Sequence, residues 1–287
     1  MASARDIKRR IKSIKSTQQI TKAMKMVSAG KLRKSQTAVT AVRPFTAKMD
    51  QLILHVSEAV EHPYLQPRPE VKKVCYVVLG SDRGLCGGFN GNLNRFLGEV
   101  LAEETRPYAL IVVGRKVREY CLRNQFTLTD DLVDMGDNPR FSQAQALGRK
   151  LRKAYEDGEY DEIRLVYSKF RSTVSQVPMQ QKLLPVPKPE VDEEDSKIFA
   201  SIDYIFEPSA EEILEKLMPQ YVDIAMFCAM QEAKASEHSA RMMAMSSATD
   251  NATDMISNLT LSLNRARQAA ITTEITEIIG GASALSS

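Results

Sequence analysis

The strongest constraint on the fold is a stretch near the C-terminal end, Gln220 to Ile279, that contains neither glycine nor proline. Its sixty residues are rich in helix-forming types, and as one helix they would extend about 90 Å at ~1.5 Å per residue. A globular domain of 287 residues would be only about 40 Å across. We therefore expect this helix to extend beyond any compact domain and to need a partner along its apolar side.

A second long helix is predicted at the other end, because residues 1–43 contain no proline and a single glycine, Gly30. In both segments apolar residues recur every three or four positions, which is the period of a coiled coil and predicts that the two helices pair. The C-terminal stripe is Ala252, Ile256, Leu259, Leu263, Ala266 and Ala270, and the N-terminal stripe is Ile7, Ile11, Ile14, Gln18 and Thr21, followed by a predicted shift to Ile20, Ala23, Met24 and Val27.

The long helices have one weak point and one alternative arrangement. Residues 246–251 (SSATDN) have poor helix propensity, so we expect a local weakness there. An ordinary helical bundle, in which every apolar face is core, remains an alternative to an extended pair.

The charge distribution is uneven. Residues 1–43 carry twelve Lys or Arg and one acid, Asp6 (+11), whereas the other 244 residues carry 27 bases and 35 acids (−8), which restores the net +3. Such asymmetry indicates an anionic partner or a solvated helix face. No aromatic residue precedes Phe45 to stack on bases, no apolar run approaches the ~20 residues of a membrane span, and no secretory h-region follows the N-terminal charges.

The middle of the chain alternates between short apolar runs and amphipathic stretches, which favours a parallel α/β sheet. Proline-rich residues 62–70 should end the first helical segment, and Pro208-Ser209 followed by two glutamates should open the C-terminal helix. Strands are predicted at 74–79, 109–113, 163–167, 174–184 and, at a sheet edge, 201–207, and helices at 93–101, 116–122 and 141–155.

A glycine-rich turn, residues 80–91, follows the first predicted strand, where a phosphate-binding loop would stand. Neither G-x-G-x-x-G nor G-x-x-x-x-G-K-[ST] fits its spacing, so we interpret it as a tight packed turn in which Gly84 and Gly87 need positive φ or close backbone approach. Cys86, beside Arg83, is then more often a buried inert thiol than a reactive one.

Side chains for catalysis or metal binding are not grouped in the sequence. His55, His62 and His238 are isolated, no nucleophile elbow occurs, and no convergent carboxylate pair is identifiable. The four cysteines (Cys75, Cys86, Cys121 and Cys228) show no CxxC spacing, which predicts reduced thiols. We therefore predict a chain that is not an enzyme and has no cofactor.

Several long motifs resemble the gamma subunit of the F-type ATP synthase. They are the N-terminal IKRRIKSIKSTQQITKAMKMVSAGKLRKSQ, the SDRGLCGG turn at 81–88, and the C-terminal ATDNATDMI with NRARQAAITTEITEIIGGASA. The resemblance covers the whole length in the same order, with a variable middle. The final segment matches that family's signature at Ile271, Thr272, Glu274, Glu277, Gly281, Ala282 and Ala284.

The resemblance implies a fold and a mechanical role. The fold would be a long antiparallel coiled coil of the N- and C-terminal helices with an inserted Rossmann-like α/β domain that has no nucleotide site. The chain would be the central-stalk rotor of a proton-translocating synthase, with the alpha and beta subunits of the catalytic hexamer, the epsilon subunit and the c-ring as partners. An apolar tip would turn inside the hexamer without fixed hydrogen bonds; it comprises Ile271, Ile275, Ile278, Ile279, Ala282, Ala284 and Leu285.

The resemblance also assigns contact residues. Lys22, Met24 and Lys25 would meet an acidic loop of a catalytic subunit, although Met24 could equally be seam packing. Arg267, Gln268 and Thr272 would contact the catalytic and noncatalytic subunits, although Arg267 could lie on a solvated face. The foot contacts with epsilon and the c-ring would be Tyr204, Phe206 and Glu207.

We divide the chain into an N-terminal shaft helix (1–61), an α/β head domain (71–207) and a C-terminal shaft helix (208–287). No transit peptide precedes Arg5, which favours the cytoplasmic face of a bacterial inner membrane, with no direct membrane span; a mature organellar chain that begins with Met is the alternative. Chloroplast members of the family that the chain resembles carry an inserted regulatory cysteine pair, whereas Cys228 stands alone in the second half of this chain, so thiol regulation is not expected. A nucleic-acid-binding coiled coil and an α/β nucleotide-dependent enzyme are the alternatives, the first requiring salt-dependent duplex binding and the second a phosphate site at 84–91.

Overall fold

A computed structural model describes residues 4–60, 62–187 and 209–285 of the chain. Five helices and five strands are described. The helices are α1 (Ala4–Ala59), α2 (Phe89–Glu103), α3 (Arg115–Arg123), α4 (Phe141–Glu156) and α5 (Ala210–Leu285), and the strands are β1 (Val74–Leu79), β2 (Tyr108–Val113), β3 (Leu128–Leu132), β4 (Glu162–Ser172) and β5 (Ser175–Leu184).

The chain divides into two compact units. The helix-pair unit combines Met1–Val27 with Met242–Ser287, and the sheet unit is Ser28–Arg241. Each long helix therefore contributes to both units.

One five-stranded sheet, in the order β3-β2-β1-β4-β5, forms the centre of the sheet unit. β1 pairs in parallel with both β2 and β4, β2 pairs in parallel with β3, and β4 pairs antiparallel with β5. The sheet is thus mixed rather than wholly parallel. A two-residue turn joins β4 to β5, and this leaves no room for the crossover that a parallel connection requires.

Both faces of the sheet are covered, which explains why β1 reads as an unbroken apolar run. All six of its residues are buried. Tyr76 and Val78 point to the side packed by α2 and α3, and Cys75, Val77 and Leu79 point to the side packed by parts of α1, α4 and α5. Leu93, Leu97 and Leu101 form the buried stripe of α2, as their spacing predicted.

The first helix continues past the proline-free segment. Pro44 lies inside α1, although a proline removes one helical hydrogen bond and usually disfavours this position. Beyond it Met49, Ile53 and Val56 are at most 2% exposed, and burying these side chains offsets the loss. Helix α5 begins where predicted. Ser209 caps its N-terminus, because the Ser209 hydroxyl accepts a hydrogen bond from the backbone N–H of Glu212 (3.2 Å).

Other elements differ from the sequence expectations. Strand β3 (LTDDL) was not predicted, because its two aspartates have low strand propensity. Residues 246–251, expected to be weak, lie within the continuous helix α5. The strand predicted at 201–207 lies outside the described residues.

Candidate functional site on the paired helices

The helix-pair unit is joined by a short series of polar contacts. Gln18 Nε2 donates to Thr253 Oγ1 (2.7 Å), the hydroxyls of Thr21 and Thr249 are 2.8 Å apart, and Lys25 Nζ donates to Ser246 Oγ (2.9 Å). As the residue number rises on α1 it falls on α5, so the two helices are antiparallel. These contacts confirm the pairing inferred from the apolar period.

The buried edge of this seam follows the predicted stripe over most of its length. On α5, Ala252 is buried, and Ile256, Leu259, Leu263 and Ala266 are half-buried between exposed neighbours; Ala270 is exposed.

On α1 the stripe does not shift as we expected. Ile20 is 58% exposed and Val27 56% exposed, whereas Thr21 is buried and Met24 half-buried. A polar residue keeps its place in the seam because its hydroxyl finds a partner on α5, and the apolar neighbours turn outward instead.

The three predicted contact residues on α1 have different surroundings. Lys22 is exposed, Met24 is half-buried beside the seam, and Lys25 is exposed but bound to Ser246. Met24 therefore has a partner within its own unit and only part of its surface is available to another protein. Both roles considered for Met24, packing and contact, are compatible with this position.

The three predicted contact residues on α5 lie elsewhere along the pair. From Arg267 to Ile279 every side chain is exposed, including Gln268 and Thr272. About twenty residues, or ~30 Å of helix, separate Arg267 from the seam position opposite Met24. The structure thus presents two distinct surfaces rather than a single site.

The predicted apolar tip is exposed over its described part. Ile271, Ile275, Ile278 and Ile279 are between 48% and 66% exposed and recur at helical spacing. Large apolar side chains exposed on one stretch of helix mark an interaction surface. The side chains of Ala282, Ala284 and Leu285 lie outside the described residues, as do the predicted foot residues Tyr204, Phe206 and Glu207.

The glycine-rich turn lies within the sheet unit, and its glycines do not all act as we expected. Gly87 has φ +55°, as predicted, but Gly84 has no positive φ, and a Cβ added to it would meet no atom within 4 Å. The close approach instead joins Gly80 and Gly114: a Cβ on Gly114, at φ +110°, would lie 2.8 Å from the Gly80 carbonyl carbon. Gly84 was assigned wrongly because sequence alone does not distinguish a solvent-facing glycine from a crowded one.

Cys86 is held inside that turn. Asn90 Nδ2 lies 3.2 Å from its sulfur, and the side chain packs with Phe89 and Ala240 of α5. Burial raises the pKa of the Cys86 thiol, and Arg241 only partly opposes this effect. All four cysteines are free. Cys86 is therefore the buried, unreactive thiol that the sequence analysis favoured over a reactive one.

A buried polar cluster next to this turn was missed by the sequence analysis. On α5, Glu237 accepts hydrogen bonds from Lys234 (2.9 Å) and Arg241 (2.8 Å), and Arg241 also reaches the Gly84 carbonyl (3.3 Å). His238 Nε2 lies 3.2 Å from the Asp137 carbonyl, and burial lowers the pKa of His238. The sequence AKASEHSAR could have indicated this cluster. Its polar residues occupy every side of the helix, in a region where α5 is otherwise apolar.

Two other kinds of site are missing from the parts of the chain that the structure describes. No group of three or more His, Cys, Asp or Glu side chains is placed to hold a metal ion there. None of the described helices is long and apolar enough to cross a membrane.

Comparisons with known proteins identify the class that this architecture defines. A family model described as ATP synthase matches residues 3–285. Gamma chains of ATP synthase from Desulfitobacterium hafniense and Moorella thermoacetica are each 50% identical over 99% of this chain and 100% of their own length. The gamma chain from Desulforamulus reducens is 51% identical over the same shares.

Solved structures agree with this fold. A chain from the central stalk and c-ring structure of Tetrahymena thermophila mitochondrial ATP synthase is 25% identical, with a TM-score of 0.59 over 80% of this chain and 99% of that one. A chain from the Euglena gracilis mitochondrial enzyme in rotational state 3 has a TM-score of 0.71 over 98% of this chain and 94% of that one. At 24% identity the second comparison shows the fold alone.

Two long terminal helices around a mixed α/β sheet define the class of ATP synthase central-stalk subunits. The chain belongs to the ATP synthase gamma chain family. It is a rotor subunit and is itself non-catalytic.

Proposed function

We propose that this chain is the rotor of a proton-translocating F-type ATP synthase and couples rotation of a membrane c-ring to conformational changes in the catalytic beta subunits. The observation that carries the proposal is the 50% identity to gamma chains over their full length. Its partners are the alpha and beta subunits, the epsilon subunit and the c-ring. It acts as a peripheral protein on the cytoplasmic face of a bacterial inner membrane.

The two exposed surfaces have different tasks in this proposal. The apolar tip, including Ile271 and Ile275, turns within the hexamer without fixed hydrogen bonds. Lys22, Met24 and Lys25 contact an acidic loop of a catalytic subunit, and Arg267, Gln268 and Thr272 contact the catalytic and noncatalytic subunits. Polar contacts of this kind favour one conformer of a partner over another, which is what coupling requires.

The remaining assignments follow the family. Tyr204, Phe206 and Glu207 form the foot contacts with epsilon and the c-ring. The segments 1–61, 71–207 and 208–287 serve as N-terminal shaft, α/β head and C-terminal shaft.

The decisive experiment compares ATP hydrolysis with ATP-driven proton pumping in membrane vesicles. Met24→Lys adds a charge-assisted bond in one rotational state, which stabilises that state by about 1–3 kcal/mol. Because the rotor must break this bond in every turn, we expect pumping to fall more than hydrolysis. Arg267→Ala removes a contact, and both activities should fall together.

Met255→Lys is the matched control, since it adds the same charge at an exposed position outside the predicted contacts (53% exposed). If Met24→Lys lowers both activities in equal proportion, or behaves like Met255→Lys, Met24 is seam packing only.

The isolated chain provides a second test of the rotor role. With its apolar tip uncovered, we expect the purified chain to aggregate or to show low helicity, and to recover when mixed with alpha and beta subunits. ATP hydrolysis by the pure chain above background would contradict a non-catalytic role.

A further inference from the structure

A pocket of about 230 Å³ opens at the surface of the sheet unit, away from both candidate contact surfaces. It is lined by one face of α1 at positions 39, 43, 46 and 50, by the β4–β5 hairpin, and by α5. The cavity exists because α5 presents three small side chains there, Ala225, Cys228 and Ala229, at helical spacing. They leave a space that the hairpin does not fill and that opens to solvent beside Arg43 and Lys169.

Several polar groups around the cavity already have partners. The Tyr167 hydroxyl donates to Gln181 Oε1 (2.9 Å). The Tyr221 hydroxyl is hydrogen-bonded to Asp50, and this bond opposes the rise that burial causes in the pKa of Asp50.

Glu232 is only partly satisfied: the Tyr167 hydroxyl also interacts with its carboxyl group, but its Oε2 is buried and accepts no hydrogen bond from the described residues. Burial raises the pKa of Glu232, while Lys169, Arg43 and Tyr167 oppose that rise. A buried carboxylate oxygen without a donor is costly, so it indicates a site for one.

Two cationic side chains also line the cavity. Arg43 and Lys169 are both exposed, and neither takes part in the ion pairs found among the described residues. The cavity therefore offers an acceptor inside and cationic donors toward solvent. A simple anion would leave the Glu232 oxygen unsatisfied, and a simple cation would use neither of the two cationic side chains.

We propose that this cavity binds a small zwitterion, whose primary ammonium donates to Glu232 and whose phosphate or carboxylate is held by Arg43 and Lys169. The volume equals that of about eight water molecules at ~30 Å³ each, which fits a ligand of roughly eight non-hydrogen atoms. Phosphoethanolamine has this size and these two groups, and it is available both as a free molecule and as the headgroup of a lipid. This inference does not depend on the rotor role.

The test uses the full chain in its purified complex with alpha and beta subunits, and it follows alkylation of Cys228 by mass spectrometry. Cys228 lines the cavity and is more exposed than the other three cysteines, so its protection reports occupancy locally. Phosphoethanolamine at about 10 mM, enough to detect a millimolar site, should slow the reaction. Phosphocholine, which has no N–H donor, and ethanolamine or inorganic phosphate alone should protect about tenfold less well.

Variants separate the site from general effects. Glu232→Gln and Lys169→Met should each weaken protection about tenfold, whereas the matched controls Glu211→Gln on α5 and Arg33→Gln on α1 should not change it. In the wild-type chain, protection of Cys228 by phosphoethanolamine should also fall as pH is lowered through the pKa of Glu232. The protonated carboxyl group then no longer provides a negative charge for the ammonium. If a variant assembles poorly, hydrogen exchange around Ala229 with and without ligand gives the same comparison.

Lipid vesicles identify the source of the ligand. If vesicles of phosphatidylethanolamine protect Cys228 and those of phosphatidylcholine do not, the headgroup of a lipid is the ligand; if the soluble compound alone protects, a free molecule is. If none of these probes slows alkylation, or if Glu232→Gln is protected as well as the wild type, the proposal is wrong.

Discussion

The two units of this chain are stabilised in contrasting ways. The tyrosines and phenylalanines that the structure describes all lie in the sheet unit, and the helix-pair unit contains no aromatic residue. The sheet unit buries whole strands on two faces, while the helix pair buries one narrow stripe and closes it with threonine, glutamine and serine contacts. Aromatic and branched side chains supply most of the burial in a core, so the sheet unit is expected to be the more stable unit.

This contrast suits a chain that must be rigid in one place and turn against partners in another. A seam of hydroxyl contacts fixes the antiparallel register without large side chains. The tip beyond Arg267, by contrast, retains an exposed surface for a partner.

The largest expected effect tests the sheet unit through a buried ion pair. Arg152 is bonded to Asp223 and to the Pro219 carbonyl (2.9 Å), and both charged side chains are almost fully buried. Arg152→Met leaves the Asp223 carboxylate uncompensated and should lower the free energy of unfolding by about 3–5 kcal/mol. Urea-dependent hydrogen exchange of the β1 and β4 amides, followed by mass spectrometry in the complex with alpha and beta subunits, reports this loss within the sheet unit.

The double variant Arg152→Met/Asp223→Leu provides the control, since it removes both charges and should recover most of the stability. A double variant as unstable as Arg152→Met would show that packing, and not the unpaired charge, causes the effect.

The next effect concerns the crowded glycine. Gly114→Ala places a Cβ against the Gly80 backbone at a φ that L-residues avoid, so we expect a loss of about 1–3 kcal/mol in the same assay. Gly84→Ala is its matched control and should be close to neutral, because open space surrounds that position. Equal losses in the two variants would mean that backbone freedom, not crowding, determines the tolerance of this turn.

A smaller effect appears with pH in the sheet unit. Hydrogen bonds from Arg106, assisted by the Tyr76 hydroxyl, lower the pKa of Glu104 from its ordinary 4.5 to about 2. The stability that this carboxylate contributes is therefore fully present above about pH 4.5 and is lost as pH falls toward about 2. Arg106→Met should flatten this part of the pH dependence of stability measured by the same hydrogen-exchange assay, and an unchanged slope would exclude Glu104 as its source.

The smallest effect tests the helix pair. A double-mutant cycle of Thr21→Val and Thr249→Val should give a coupling energy of about 1 kcal/mol, because the two hydroxyls form one hydrogen bond. Hydrogen exchange of the α5 amides around Thr249 measures it without interference from the sheet unit. A cycle on Thr260, which bonds only to its own helix, is the control and should give no coupling with Thr21.

Sequence periodicity predicted both long helices and most strands. The β1 prediction agrees with the structure at both ends, and the α5 stripe from Ala252 to Ala266 forms the observed seam. Both predictions rest on a repeated pattern, so several residues support each of them and no single residue decides the outcome.

Other features depended on single residues and could not be predicted in this way. Pro44 interrupts no helix because Ile53 and Val56 pack into the core beyond it. Strand β3 forms because its backbone pairs with β2, despite two aspartates, and the outward position of Ile20 results from the Thr21 hydroxyl finding Thr249.

The sequence by itself determined that two long helices would pair around an α/β region, and its motifs placed the chain in its family. Local propensity and apolar period act within a segment, so they can be read without knowing the rest of the fold. The tertiary structure alone decided which glycine is crowded, where the buried cluster around Glu237 forms, and that a cavity opens beside Glu232. Each of these depends on side chains far apart in sequence, and their meeting is fixed only when the strands and helices pack.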